Sequence, residues 1–138
     1  MENDKLQASN DKQSQSTNNR NSKRYDLEER TLAFAGKINE FVKRLPKTIS
    51  NLENGKQLVR SAGSVGANYI EANEALSKKD FGMRVKISRK EAKESRFWLY
   101  LTEPSPSENI HKQQLVNEAT ELTKIFSSIL LKCQFFKY

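Results

Sequence analysis

The stretch DLEERTLAFAGKINEFVKRLP, residues 26–46, carries a repeat that is typical of a helix with one buried face. Apolar or semi-apolar side chains recur at intervals of four, three, four, three and four residues: Leu27, Thr31, Phe34, Ile38, Phe41 and Leu45. Asp26 can cap the start, with Glu29 three residues later as in a capping box. Pro46 follows the repeat, and the residue before a proline resists α geometry. The pattern predicts a first helix from about Asp26 to Arg44 or Leu45.

Two more helices are predicted in the middle of the chain. The first is expected to start within residues 46–50 and to run to about Leu76. Ser77 then has the character of a helix cap, with Asp80 three residues later, and the helix that it opens is expected to reach about Glu103. No part of the chain alternates with period two for long enough to predict a strand.

A fourth helix is predicted after the firm break at Pro104 and Pro106. Ser107 can cap this helix. Its predicted buried face repeats at intervals of four and three residues: Leu115, Ala119, Leu122, Phe126, Ile129, Cys133 and Phe136. Four long helices joined by short connections predict an all-α protein, an antiparallel up-down four-helix bundle.

Residues 1–24 differ from the rest of the chain in composition. Asn, Gln and Ser supply 12 of these 24 positions, and aliphatic side chains are few. Such a segment buries too little apolar surface to offset the entropy lost on ordering it. We therefore expect a disordered polar tail over residues 1–24 and a four-helix bundle over residues 25–138.

The residue types that usually carry catalysis are scarce. Cys133 is the only cysteine and His111 the only histidine, which excludes an intrachain disulfide and any site built on several of either. Glu108 and His111 have the Glu-x-x-His spacing of di-iron bundles, but such a site needs two of these motifs and further carboxylates. No Walker loop or dinucleotide fingerprint occurs. The sequence predicts no enzyme activity, no metal and no cofactor.

The expected location follows from the distribution of apolar residues. No apolar run approaches the roughly 20 residues that span a bilayer. The N-terminal segment has no apolar signal-peptide core. We therefore expect a cytoplasmic protein without membrane contact.

Positive charge is concentrated on predicted helix 3. The chain has 24 Lys and Arg against 17 Asp and Glu, a net charge of +7, which favours an acidic partner. At about 100° per residue, the helix 3 cations that share an arc of roughly 120° are Lys78, Lys79, Lys86, Arg89, Lys90, Lys93 and Arg96. A phosphate backbone would neutralise their repulsion and release counterions, so they are candidate nucleic-acid contacts. A solvated helix face is the alternative.

Another face of helix 3 mixes apolar and acidic side chains outside the predicted core-facing arc. Its members are Met83, Ile87, Glu91, Glu94, Trp98 and Leu101. A second apolar strip on a bundle helix often contacts another subunit, so these residues are the candidate interface of a homo-oligomer. The alternative is that helix 3 is the most buried helix of a monomer.

The segment SAGSVGANYIEANEA, residues 61–75, holds Gly63 and Gly66 within predicted helix 2. A glycine inside a helix costs about 1 kcal/mol relative to alanine. The strand and the Lys-Ser/Thr ending of a phosphate loop are both missing here. We interpret the glycines as helix-packing positions, where a neighbouring backbone or bulky side chain comes close.

Four stretches together carry a family resemblance. They are YDLEERTLAFAGKINEFVKRLPKT (25–48), QLVRSAGSVGANYIEANEALSKKDF (57–81), KISRKEAKESRFWLYLTE (86–103) and LVNEATELTKIF (115–126). The chain resembles the four-helix-bundle proteins encoded in intervening sequences of bacterial 23S rRNA genes, which are related to the accessory variability proteins of diversity-generating retroelements. The resemblance implies an antiparallel bundle that assembles into a ring-shaped homopentamer. In the retroelement branch, it implies a basic pentameric barrel that works with a reverse transcriptase and its RNA.

Two functions are consistent with these observations. The first is a non-enzymatic homo-oligomer that binds RNA or DNA. Contacts to the nucleic-acid backbone are expected, because no RNA-binding module with stacking aromatics is evident. The second is a scaffold or accessory protein that binds a protein partner such as a retroelement reverse transcriptase, with the ring presenting several copies of the basic face.

Overall fold

The computed structural model describes the backbone of residues 19–135 and the side chains of residues 27–133. The four long helices are α1 (Asn19–Lys43), α2 (Ile49–Asn73), α3 (Lys78–Leu101) and α4 (Asn109–Phe135). A 3₁₀ turn, Pro106–Glu108, precedes α4, and no β-strand occurs between residues 19 and 135. The prediction of an all-helical protein with four helices is confirmed.

Helix α1 begins earlier than the sequence pattern indicated. Its first residue is Asn19, whereas the expected start was Asp26. Residues 19–25 contain neither proline nor glycine, so no residue in this segment breaks the helix. Residues 1–18 lie outside the described part of the chain, and for them the disordered tail stays a prediction.

The capping signal of α3 is realised, and that of α4 is displaced. The Oγ of Ser77 accepts a hydrogen bond from the backbone N–H of Asp80 at 3.1 Å, as its position predicts. Ser107 lies instead within the 3₁₀ turn, and α4 begins two residues later at Asn109. The expected α4 cap was therefore wrong, because the chain makes a tighter turn before entering the helix.

One face of each helix contributes to a shared core. All six members of the α1 repeat are buried, and the most exposed of them is Leu27 at 8%. The other helices contribute Leu58, Ala62, Val65, Tyr69, Ala72, Val85, Ala92, Leu99, Leu115, Val116, Ala119, Leu122, Phe126 and Leu130. On the predicted α4 face, every member from Leu115 to Phe126 is buried. Ile129 and Cys133 are half-buried, and Phe136 lies outside the described residues.

Small hydroxyl residues line the contact between α2 and α3. The Oγ atoms of Ser61 and Ser95 are 2.9 Å apart, and both side chains are fully buried. Ser88 Oγ donates to the backbone carbonyl of Val65 at 2.9 Å, which joins the two helices directly. Each buried hydroxyl therefore has a partner, and the small side chains let α3 lie close to α2.

Asn51 fixes the end of α3 against the turn between α1 and α2. Its Nδ2 donates to the backbone carbonyls of Pro46 at 2.9 Å and Glu103 at 3.0 Å. Its Oδ1 accepts from the backbone N–H of Glu103 at 2.9 Å. Asn51 is 3% exposed, so these three bonds are largely shielded from water. These bonds fix the C-terminal end of α3 relative to α2.

The two glycines of the 61–75 segment have different surroundings. A Cβ atom on Gly66 would lie 2.8 Å from Thr31 Oγ1, so α1 packs directly against this position. A Cβ atom on Gly63 would meet no neighbouring atom within 4 Å, and Gly63 is exposed. Close approach of a neighbouring helix thus explains Gly66, and no contact within the described residues explains Gly63.

Candidate nucleic-acid interface

Five lysines of α3 form an exposed basic surface, which we call the lysine face. Its members are Lys78, Lys79, Lys86, Lys90 and Lys93, all of them exposed. Among the side chains of residues 27–133, the nearest carboxylate to any of them is Glu91, whose Oε1 lies 3.9 Å from Lys90 Nζ. The other four ammonium groups have no carboxylate within 4.0 Å in that part of the chain. The face therefore presents largely uncompensated positive charge.

The two arginines of the predicted cationic stripe turn toward α4. Arg89 Nη1 donates to Ser127 Oγ at 3.3 Å, and Arg96 Nη1 donates to Thr120 Oγ1 at 3.2 Å. Both arginines are half-buried. The structure thus brings five of the seven predicted cations together on an open surface and places Arg89 and Arg96 at its edge, in the α3–α4 contact.

The glutamates of α3 point away from the lysine face. Arg60 of α2 lies 3.3 Å from Glu91 Oε2 through its Nη1 and pairs with Glu94 through its Nη2. Trp98 Nε1 donates to Glu94 Oε2 at 3.1 Å. Because Arg60 holds both carboxylates on the α2 side, they compensate little of the charge that the lysines present to solvent.

The predicted subunit-contact face is divided by the same arrangement. Glu91 is only 4% exposed, because it is covered within this chain. Trp98 is half-buried and packs against the core, and Ile87 is half-buried. Met83 and Leu101 remain exposed, at 54% and 43%. The helical wheel located these residues on one side of α3 but did not show that α2 covers part of that side.

Two exposed aromatic residues extend the lysine face and were not among the predicted site residues. Phe97 is 55% exposed and Tyr100 is 60% exposed. At about 100° per residue, both fall within the arc of the lysines, so the wheel could have revealed them. Phe97 also makes an edge contact with Trp98, with ring centroids 4.9 Å apart and an interplanar angle of 77°.

A recess lies beside the first turns of the lysine face. It has a volume of about 490 Å³, and Lys78, Lys79 and Lys86 stand at its rim. Leu130 and Cys133 of α4 form part of its wall. Gly82 lines it as well, and a Cβ atom there would meet no neighbouring atom within 4 Å. The lysines of this end thus surround a concave surface rather than a flat one.

The Glu-x-x-His motif is part of an ion pair between helix ends. Glu108 Oε1 accepts from Arg44 Nε at 2.7 Å, and Glu108 Oε2 lies 3.2 Å from His111 Nδ1. The hydrogen bond from Arg44 is the main reason that the pKa of Glu108 lies below its usual value of 4.5. No cluster of three potential metal ligands occurs among the described residues.

A second surface feature is an open groove between α1 and α4, with a volume of about 900 Å³. Phe34, Phe41 and Leu115 supply its apolar floor. Arg30 and Glu118 connect its two walls through hydrogen bonds of 2.8 Å from Arg30 Nε and Nη2. The groove lies apart from α3, so it is separate from the lysine face.

Between residues 19 and 135, no helix combines the length and the apolarity that crossing a bilayer requires.

Comparison with known proteins gives a match over most of the helical region. A family model described as "23S rRNA-intervening sequence protein" matches residues 23–128. The chain belongs to this family. The resemblance noted in the sequence is therefore confirmed.

A solved structure supports the membership of this 23S rRNA-intervening sequence protein. It is a crystal structure of a protein with unknown function from the S23 ribosomal protein family of Bacteroides thetaiotaomicron VPI-5482. The two proteins share 32% sequence identity and a TM-score of 0.66, over 75% of this chain and 96% of the other. No curated protein matches the chain. The region matched by the family model contains the whole lysine face and both exposed aromatic residues.

Proposed function

We propose that this family member is a non-enzymatic, homo-oligomeric protein that binds RNA or DNA through its lysine face. The supporting observation is that five exposed lysines share one helix face while both glutamates of the middle of α3 pair with Arg60 on the other side. A polyanion relieves the repulsion among these lysines and gains entropy by releasing its counterions. Backbone contacts of this kind bind many sequences with similar affinity.

The bundle that carries this face is proposed to be antiparallel. Arg44, just after α1, pairs with Glu108, just before α4. Asn51, in the first turn of α2, bonds to Glu103, just after α3. Contacts between the end of one helix and the start of another are what antiparallel neighbours with short connections require.

Assembly into a homopentameric ring is also proposed. The exposed side chains of Met83 and Leu101 support a contact between copies, because apolar area on a helix surface gains stability when another subunit covers it. A ring would multiply the lysine faces that one nucleic acid meets and so raise its avidity. Light scattering should give the mass of five copies of the 15.9 kDa chain, and a monomer mass would contradict the ring.

A salt series tests nucleic-acid binding. Fluorescence anisotropy with labelled RNA would follow log Kd against log salt. If the five lysines of one face contact phosphates, log Kd should rise with log salt with a slope of about 3.5 for a single strand and about 4.5 for a duplex. Replacing Lys86, Lys90 and Lys93 by Gln should reduce the steepness by roughly 2 to 3.

The matched control removes three charges elsewhere. Lys43, Lys56 and Lys124 are exposed lysines on the other three helices, and their replacement by Gln gives the same net charge. This variant should bind nearly as the parent chain does. Equal losses in the two triple variants would indicate that net charge alone drives binding, and a flat salt response would contradict the proposal.

A protein partner is the second candidate function, and the α1–α4 groove favours it. Its exposed lining residues Ala33 and Gly36 are small and leave room for a helix from an accessory partner such as a reverse transcriptase. Gly36 lines the groove, and a Cβ atom there would meet no neighbouring atom within 4 Å, so Gly36→Leu would place a bulky side chain in the groove. Loss of a co-purifying partner with unchanged RNA affinity would support the scaffold function.

A further inference from the structure

Three lysines of the lysine face and the two exposed aromatic residues form one continuous strip along α3. Its members are Lys86, Lys90, Lys93, Phe97 and Tyr100, at successive intervals of four, three, four and three residues. Residues at these intervals lie one above another on the same side of a helix. The first and the last member are 14 positions apart in sequence, which corresponds to about 21 Å along the helix axis. Cations occupy one part of the strip and aromatic rings the other.

The two rings contribute little to the core of this chain. More than half of each residue is accessible, and neither belongs to the buried cluster. Phe97 is nevertheless held in place, because its ring contacts Trp98 and the Trp98 indole is bonded to Glu94. A partly fixed, solvent-exposed ring on a regular helix is ready to stack without losing much side-chain entropy.

We propose that this strip binds a single-stranded segment of nucleic acid, with unpaired bases stacked on Phe97 and Tyr100 and phosphates beside Lys86, Lys90 and Lys93. The inference rests on the proposed nucleic-acid function and specifies its ligand. Base stacking on aromatic side chains together with a cationic track is the general mode of single-strand binding. A duplex keeps its bases stacked on each other, so it can use the lysines but not the rings.

Charge favours a polyanion over a second copy of the chain as the occupant. Lys90 and Lys93 lie within the two turns before the rings, and lysine is depleted in the contacts between subunits. A two-fold dimer that covered the rings through this face would bring two sets of lysines together. A nucleic acid instead supplies a negative charge beside every base.

The test compares a 12-nucleotide oligouridylate with a 12-base-pair duplex by fluorescence anisotropy. The double variant Phe97→Ala, Tyr100→Ala should raise the Kd for the oligouridylate by roughly tenfold for each ring lost. Duplex affinity and the salt slope should stay near those of the parent chain. Tyr100→Phe should retain single-strand affinity, because it keeps the ring. Leu32→Ala is the control for loss of an exposed apolar side chain, since Leu32 is 72% exposed on α1.

The outcomes separate this inference from the proposed function. If the Lys86, Lys90 and Lys93 variant loses binding while the ring variant keeps its single-strand affinity, the inference is overturned and the proposed function stands. If the parent chain binds neither oligonucleotide, both fail. If the ring variant changes the oligomer mass in light scattering without changing affinity, the rings contact another copy and the inference is overturned.

Discussion

Opposite stability effects are expected at the two glycines of α2. Gly63 and Gly66 are three residues apart in the middle of the helix, and the same substitution by alanine can be made at both. A new Cβ atom at position 63 enters open space, whereas at position 66 it lies 2.8 Å from Thr31 Oγ1 and 3.2 Å from Thr31 Cβ. The pair therefore isolates helix packing from helix propensity.

The magnitudes follow from these surroundings. Replacing a helical glycine by alanine raises the free energy of unfolding by about 1 kcal/mol at most, and Gly63→Ala should raise it by about 0.5–1 kcal/mol. Gly66→Ala makes the same gain but overpacks the close contact with Thr31, at a cost of about 1–3 kcal/mol. Thr31 cannot yield easily, because it is 1% exposed and its hydroxyl donates to the Glu28 carbonyl at 2.9 Å. The overpacking cost therefore lies in the upper part of its range, about 2–3 kcal/mol, which leaves a net loss of about 1–2 kcal/mol.

Urea unfolding followed by circular dichroism measures the two free energies of unfolding. Gly66→Ala should unfold at a lower urea concentration than the parent chain, and Gly63→Ala at a higher one, with similar m-values. A double-mutant cycle with Thr31→Ala adds a direct check. Removing the Thr31 side chain makes room for the new methyl group, so the two substitutions should couple favourably by about 1 kcal/mol or more.

The reasoning would be refuted if Gly66→Ala were as stable as Gly63→Ala. That result would mean that α1 and α2 do not approach each other as closely as the Thr31 contact requires. Additive effects in the double-mutant cycle would contradict the contact in the same way, even if Gly66→Ala alone were destabilising.

Three other predictions concern the polar contacts. Asn51→Ala should lower the free energy of unfolding by about 2–3 kcal/mol, since it removes the three hydrogen bonds of a buried side chain. Asn54 makes a single side-chain bond of 3.4 Å, so the control Asn54→Ala should lower it by less than about 0.5 kcal/mol; urea titration measures both. Arg60→Met should destabilise by about 1–3 kcal/mol because it leaves the buried Glu91 carboxylate without its arginine, and adding Glu91→Gln should recover most of that loss. The lowered pKa of Glu108 means that its stabilising effect is present above pH 4.5 and is lost as the pH falls through the folded-state value. Melting temperatures at several pH values below 5 should therefore fall less for Glu108→Gln than for the parent chain; parallel falls would contradict this.

Local periodicity explains why the four helices could be predicted. The α1 repeat from Leu27 to Leu45 specifies a buried face by spacing alone, and every member is buried. Ser77 identified the start of α3 because a cap depends only on the next few residues. The start of α1 was wrong because no local residue stops the helix between positions 19 and 25.

Which side chains of α3 are covered by neighbouring helices could not be predicted from the sequence. A wheel gives the direction of a side chain on its own helix, but not which helix covers that direction. Arg89 and Arg96 look equivalent to the lysines on the wheel, yet Ser127 and Thr120 of α4 engage them. Glu91 looks like a surface residue until Arg60 of α2 is placed beside it.

The sequence by itself thus determined the helices, their buried faces and the family, because these depend on spacing along one chain segment. Tertiary structure alone decided that five lysines stay open, that Phe97 and Tyr100 are left exposed, and that Gly66 rather than Gly63 is a close contact. The physical reason is that exposure and close approach are properties of pairs of helices, and the partner of each helix is set only when the core is packed.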